Sequence, residues 1–260
     1  MGFKKLFASL GAGGASVDTI ITEPNVVPGG IVQGEVRIQG GSVEQQIEGL
    51  SVGLQARVEV ESGDQEVKQD VVFSKQRLGG AFKVQPGAVH VVPFGLEIPW
   101  ETPVTHFQGH HLHGMNIGVS TELEIARAVD AGDLDPINVH PLPAQQAILD
   151  AFGQLGFRFR SADMERGHIR GTRQTLPFYQ EIEFLPPQQY HGLNQVELTF
   201  IADGNEMDVV LEMDKKPGLF SEGSDTYRCF KVGLHAYQST NWSAYLNEWI
   251  ASVGSKRNWF

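Results

Sequence analysis

Apolar and polar residues alternate along most of this chain with a period of two, the spacing of strands that bury one face. The most regular case is Leu50, Val52, Leu54, Ala56, Val58 and Val60, set against Ser51, Gly53, Gln55, Arg57, Glu59 and Glu61. A slip of one residue would turn every one of those apolar side chains to water, so the register is strongly specified. Similar strands are marked at Ala15 to Thr22, Val32 to Gln39, Val92 to Ile98 and Ile117 to Ile125, and Glu66 to Lys75 pairs back with Val71, Val72 and Phe73 as its apolar centre. Pro93 lies inside its run; proline cannot donate to a ladder, which predicts an edge strand or a bulge there. Beyond residue 155 strands recur at Gly156 to Ser161, Pro177 to Leu185, Gln195 to Ala202, Glu206 to Met213 and Tyr227 to His235. Between two of these, Asp203 and Gly204 are placed to supply the positive φ values of a tight hairpin.

Three stretches break the period. Phe3, Leu6, Phe7 and Leu10 recur at helical spacing before Gly11, which predicts a short amphipathic N-terminal helix. Ala144 to Gly153 carries Ile148, Ala151 and Phe152 on one side, with Gly153 and Gly156 as stop signals. Ser239 to Val253 places Tyr245, Leu246, Trp249, Ile250 and Val253 along one stripe, with Thr240 or Asn241 as its cap. Between the two sets of strands, Asp130, Asp133 and Asp135 precede Pro136, Pro141 and Pro143. Prolines fix their own φ and extend the residue before them, which predicts a stiff joint. The chain therefore divides into an all-β domain at 1–131, a linker at 132–143 and a second β-sandwich domain with a C-terminal helix at 144–260.

Composition narrows the function more than the fold. Twenty basic against 31 acidic residues give a net charge of −11, which argues against nucleic acid, because phosphate neutralisation needs surplus Lys and Arg. The single Cys229 excludes an intrachain disulfide framework and fits a reducing cytoplasm. The chain has no apolar run long enough for a spanning helix. The N-terminal apolar run, interrupted by Lys4, Lys5 and Ser9, is too short for a secretory signal. Through Phe3 and Phe7 it offers only weak contact with a membrane.

Candidate chemistry is sparse. His106, His110, His111 and His113 form the densest group of potential metal ligands, and on a strand His111 and His113 would share a face. Their spacing matches no HExxH helix, and a solvated loop explains them without an ion. The aspartates at 130, 133 and 135 lack the ligand spacing of a calcium loop. Pairing with an arginine such as Arg158, Arg160, Arg166 or Arg170 is the expected role, since an unpaired buried carboxylate is costly. No nucleophile elbow, phosphate loop or dinucleotide fingerprint occurs, so no catalytic residue, cofactor or metal site is assigned. Trp242 and Trp249 concentrate aromatic area near the C-terminus, as core or as anchors for a protein partner or a second copy of the chain. Exposed sheet edges offer the same opportunity by strand addition.

In order and spacing, the segments GFKKLFASLGAGGASVDTII, PGGIVQGEVRIQGG, VPFGLEIPWETPVT, LEIARAVDAGDLDPINVHPLP, ILDAFGQLGFRF and QEIEFLP resemble the bacterial sporulation-control protein family. The resemblance covers nearly the whole chain except 105–115 and the tail after Lys256. It implies an arrestin-like fold of two β-sandwiches and a soluble, non-enzymatic regulator or scaffold acting through protein contacts. By fold-level analogy with the polar core of arrestins, Asp133 and Asp135, beside Pro136 in the joint that begins at Asp130, are expected to help set the interdomain angle. A metal-binding protein or enzyme built on His106 to His113, and a membrane adaptor built on the N-terminal helix, are the rival readings.

Overall fold

A computed structural model describes residues 13–62, 65–215 and 228–254, with side chains from 13–60, 67–214 and 228–251. In chain order its strands are β1 (Ser16–Ile21), β2 (Asn25–Val26), β3 (Ile31–Gln39), β4 (Gln45–Ser62), β5 (Gln65–Gly79), β6 (Phe82–Val84) and β7 (Val89–Glu97). Two short strands follow, β8 (His106–Phe107) and β9 (His110–His111), then β10 (Ile117–Ile125), β11 (Ala131–Pro136) and β12 (Asn138–Val139). Helix α1 (Pro143–Gln154) leads into β13 (Arg158–Arg166), β14 (Phe178–Leu185), β15 (Leu193–Ala202), β16 (Glu206–Lys215) and β17 (Arg228–Gly233), and the last element is helix α2 (Trp242–Gly254). The protein is mostly β. It forms two compact units: the first draws its described residues from Met1–Val58, Lys68–Thr105 and Asn116–His140, the second from Glu59–Val67, His106–Met115 and Pro141–Phe260.

The first unit contains a sheet in the order β1-β3-β7 and a second group in which β10 lies between β11 and β4, with β5 and β6 also on β4. The alternation in β3 sends Val32, Val36 and Ile38 inward, and that in β4 buries Leu50, Val52, Leu54, Ala56 and Val58. Gly34 is required in β3: a Cβ there would lie 2.5 Å from the Ile20 carbonyl oxygen and 2.9 Å from the Phe94 ring. Pro93 sits opposite Glu35 on β7, which is an edge strand of its sheet, where a missing donor is tolerated. The buried Thr19 and Thr121 hydroxyls meet at 2.7 Å and join β1 to β10.

The expected linker at 132–143 takes another form. Ala131–Pro136 is a full strand against β10, with Asp133 opposite Thr121 and Asp135 opposite Val119. Asn138–Val139 pairs in parallel with Asn25–Val26, and Pro143 is the first residue of α1. Prolines at a strand's end and at a helix's first position remove no hydrogen bond, so their density marks element boundaries here rather than a free connection. The boundary at 131 shifts accordingly: residues to His140 belong to the first unit, whereas 59–67 and 106–115 belong to the second.

The second unit is built on the antiparallel run β13-β14-β15-β16-β17. Helix α1 starts as its residues suggest, with Gln145 Oε1 accepting the Leu142 amide at 2.8 Å. It ends at Gly156, whose φ of +86° and whose N–H, donating to the Gly153 carbonyl at 3.0 Å, form a left-handed cap. Phe152 is buried with its ring 4.8 Å from Phe184 and 5.0 Å from Phe157. Asn241 caps α2 by accepting the Ala244 amide. The hairpin between β15 and β16 forms as expected, but neither Asp203 nor Gly204 has positive φ. The Asp203 carboxylate accepts the Asn205 and Glu206 amides at 2.7 and 2.9 Å, and that side chain closes the turn.

Candidate functional site

Side chains alternate across each strand, so the five-stranded sheet of the second unit has two different faces. One carries Met164, Ile182, Phe184, Leu198, Leu211 and Phe230, all buried, and receives both helices. The other carries Asp163, Glu165, Glu181, Glu183, Glu197 and Glu212. The pairings Asp163 to Glu181, Glu183 to Glu197 and Glu197 to Glu212 bring residues from four strands into one acidic row. Carboxylate oxygens of Glu181, Glu197 and Glu212 all lie within 4.8 Å of one another. Among the described residues, this is the one group of three whose ligand atoms converge closely enough to share a cation.

Crowding of like charges on a half-buried surface changes their acidity. Glu181 is pushed up to about 8, first by burial and then by the charges of Glu197, Asp163, Glu165 and Glu212. Glu197 is pushed up to about 7, again by burial first and then by Glu212. The Tyr179 hydroxyl, at the end of the row, is raised by burial and by Glu181, Glu165 and Glu212. Burial and mutual repulsion thus favour the protonated form of this row, which titrates as a coupled group.

One end of the same face is fully compensated. Arg173 pairs with Asp203 and Glu206, and its Nε lies 3.2 Å from Asp208, a carboxylate only 2% exposed. Bonds from Glu206, Asp203 and Asp208 raise the arginine's affinity for its proton. Asp203 is held at about 2 by the Glu206 and Asn205 amides, with help from Arg173.

The residues singled out in the sequence are dispersed. Asp133 accepts the Thr19 amide at 2.7 Å and the Leu134 amide at 2.9 Å, and Asp130 accepts the Ile125 amide at 2.9 Å. For Asp130 and Asp133 backbone donors take the place of the expected arginines, and Arg160 turns to Glu183 at 3.3 Å. All three aspartates lie in the first unit, Asp133 and Asp135 on β11 and Asp130 just before it, not in a linker. His106 and His111 face each other across the β8–β9 turn with ring centroids 5.2 Å apart. His110, His111 and His113 are exposed, and Leu112 and Met115 between and after them are the buried anchors of the segment. These histidines do not converge with a third ligand among the described residues. The positive φ of Gln108 and Gly109 identifies the turn, a signal present in the QG pair but hidden by the histidines around it.

Trp242 and Trp249 are half-buried around Phe230, with centroids at 6.1 and 5.5 Å, and the Trp242 indole donates to the Tyr237 carbonyl at 2.7 Å. Phe3 and Phe7 lie outside the described residues. The carboxylate row was not foreseen, because Glu181, Glu197 and Glu212 are far apart in sequence and only strand register joins them.

The fold is that of a mostly β class of proteins represented by the crystal structure of Spo0M, the sporulation control protein from Bacillus subtilis. The match has a TM-score of 0.79 and 28% identity, over 92% of this chain and 99% of that one. The profile of the family described as SpoOM protein matches residues 3–217. The sporulation-control protein spo0M of Bacillus subtilis (strain 168) is 35% identical over 216 residues, 82% of this chain and 81% of its own length. This chain belongs to the Spo0M sporulation-control protein family.

Proposed function

We propose that this chain is a non-enzymatic regulatory or scaffold protein that works in the cytoplasm through protein-protein contacts, on an arrestin-like frame of two β-sandwiches. The observation that carries the reading is the relationship to a sporulation-control protein over 82% of the chain. The frame is supported in the first unit by two sheets that share a buried interior and meet at Thr19 and Thr121. The acidic row supports the contact mechanism, since a sheet face crowded with carboxylates offers strong complementarity to a basic partner segment. Histidine-based metal chemistry has no comparable support, and no helix among the described residues is long and apolar enough to cross a membrane.

Photocrosslinking in the native cell tests the reading, using the full chain with a crosslinker introduced on the acidic face. Recovery of one defined protein, lost when Glu181, Glu197 and Glu212 are all replaced by Gln, is the expected result. A second copy of this chain as the sole product would make it a homo-oligomer instead. Crosslinks no different from those of an unrelated acidic protein would contradict it.

A further inference from the structure

The second unit also contains a cavity of about 360 Å³ whose lining includes Arg170, Arg228 and His168. Among the described residues neither guanidinium makes an ion pair or a hydrogen bond, a notable arrangement in a chain of net charge −11. The contrast with Arg173 is instructive, because three carboxylates satisfy that neighbour. Ile169, Val210 and Tyr179 give the cavity an apolar wall, and its volume falls at the small end of pockets that hold whole small molecules, roughly 300–1,000 Å³.

The rim is held in place before any ligand arrives. Buried Gln174 accepts the Ile169 amide at 2.9 Å and donates to the Gly167 and Leu176 carbonyls, both at 2.8 Å. Thr172 Oγ1 donates to the Ile169 carbonyl at 2.8 Å, and Gly171 turns the loop with a φ of +82°. The loop carrying His168 and Arg170 is thus tied at both ends, so little ordering is left to be done on binding. Glu165, Glu181 and Glu212 act on Tyr179, and Asp208, already engaged by Arg173, acts on Cys229. An anionic ligand finds its complementary charge in the two arginines of the lining. Planar guanidinium forks match the oxygens of phosphate better than any other side chain does.

We propose that this cavity binds a small organic phosphate monoester, its phosphate between Arg170 and Arg228 and its carbon skeleton against Ile169, Val210 and Tyr179. The site is independent of the protein-contact reading, and its absence would leave that reading untouched.

Cys229 makes the test specific, being the single cysteine of the chain, exposed, and part of the cavity wall. The rate of its alkylation by iodoacetamide, followed by mass spectrometry on the full chain, is measured against phenyl phosphate, inorganic phosphate and sodium chloride at matched ionic strength. Calorimetric titration with the same solutes runs in parallel. The expected result is saturable slowing and a binding heat with phenyl phosphate, weaker effects with inorganic phosphate and none with chloride. Arg170→Gln and Arg228→Gln should each weaken phenyl phosphate by about tenfold, with an unchanged circular dichroism spectrum. Absence of both slowing and heat overturns the proposal, as does equal protection by chloride or an unchanged affinity in both variants. Equal affinity for inorganic and phenyl phosphate would remove the apolar wall from the site.

Discussion

Two groups of acidic residues, one in each unit, are held in opposite ways. In the first, Asp130 and Asp133 each accept backbone amides at 2.7–2.9 Å, so their charges serve as turn and strand connectors. In the second, Glu181, Glu197 and Glu212 converge on one another within 4.8 Å. Carboxylates facing amides are structural, because the amides need acceptors whatever the pH. Carboxylates facing carboxylates oppose folding and are better explained by what they offer to a partner. In this member of the Spo0M family, three carboxylates crowd together on one sheet face of the second unit.

The compensated end of that face gives the largest expected effect. Arg173→Ala removes the partner of Asp208 and leaves a carboxylate that is 2% exposed without its counterion. Chemical denaturation should show a loss of about 2–4 kcal/mol, near the range for breaking a buried pair from one side. A loss below half of that would mean that solvent reaches Asp208 and that the contrast between the two ends of the face is small.

Glu181→Gln should act in the other direction. A carboxyl raised to about 8 in the folded protein, from 4.5, binds its proton more tightly when folded. Wild-type stability therefore falls as pH rises from about 4.5 to 8, and the penalty is constant above that window. The variant should gain on the order of 1–3 kcal/mol at pH 8.5 after allowance for solvent screening, with the gain vanishing near pH 4. Denaturant midpoints at the two pH values measure this, and a gain independent of pH would assign it to packing.

Asp133→Ala probes the first unit and should cost about 1–2 kcal/mol, the value of leaving an amide without its acceptor. The loss should be similar at pH 6 and pH 8.5. A pH profile resembling that of Glu181→Gln would erase the difference between the units. Smallest is Asn241→Ala, which removes the cap of α2 and should cost about 1 kcal/mol by the same assay.

The sequence was most informative where chemistry is local. Alternation located nearly every long strand, because burial of one face imposes the period of two directly on the residues. Asn241 as a cap and Gly156 as a helix stop were readable for the same reason. Prolines misled at 132–143, since Pro136 ends a strand and Pro143 begins a helix, and neither role differs from a linker's in composition. The convergence of Glu181, Glu197 and Glu212 depends on the pairing of three strands, and pairing leaves no mark at any single position.

The central claim is that neighbouring carboxylates crowd Glu181 and Glu197 on the acidic face of the second unit, and a carbon-detected NMR titration of the glutamate carboxyl groups tests it most directly. Two midpoints near 8 and 7, for Glu181 and Glu197, are the predicted result, with each shifted downward when Glu212 is replaced by Gln. Midpoints for both within the ordinary carboxylate range, near 4.5, would contradict the account.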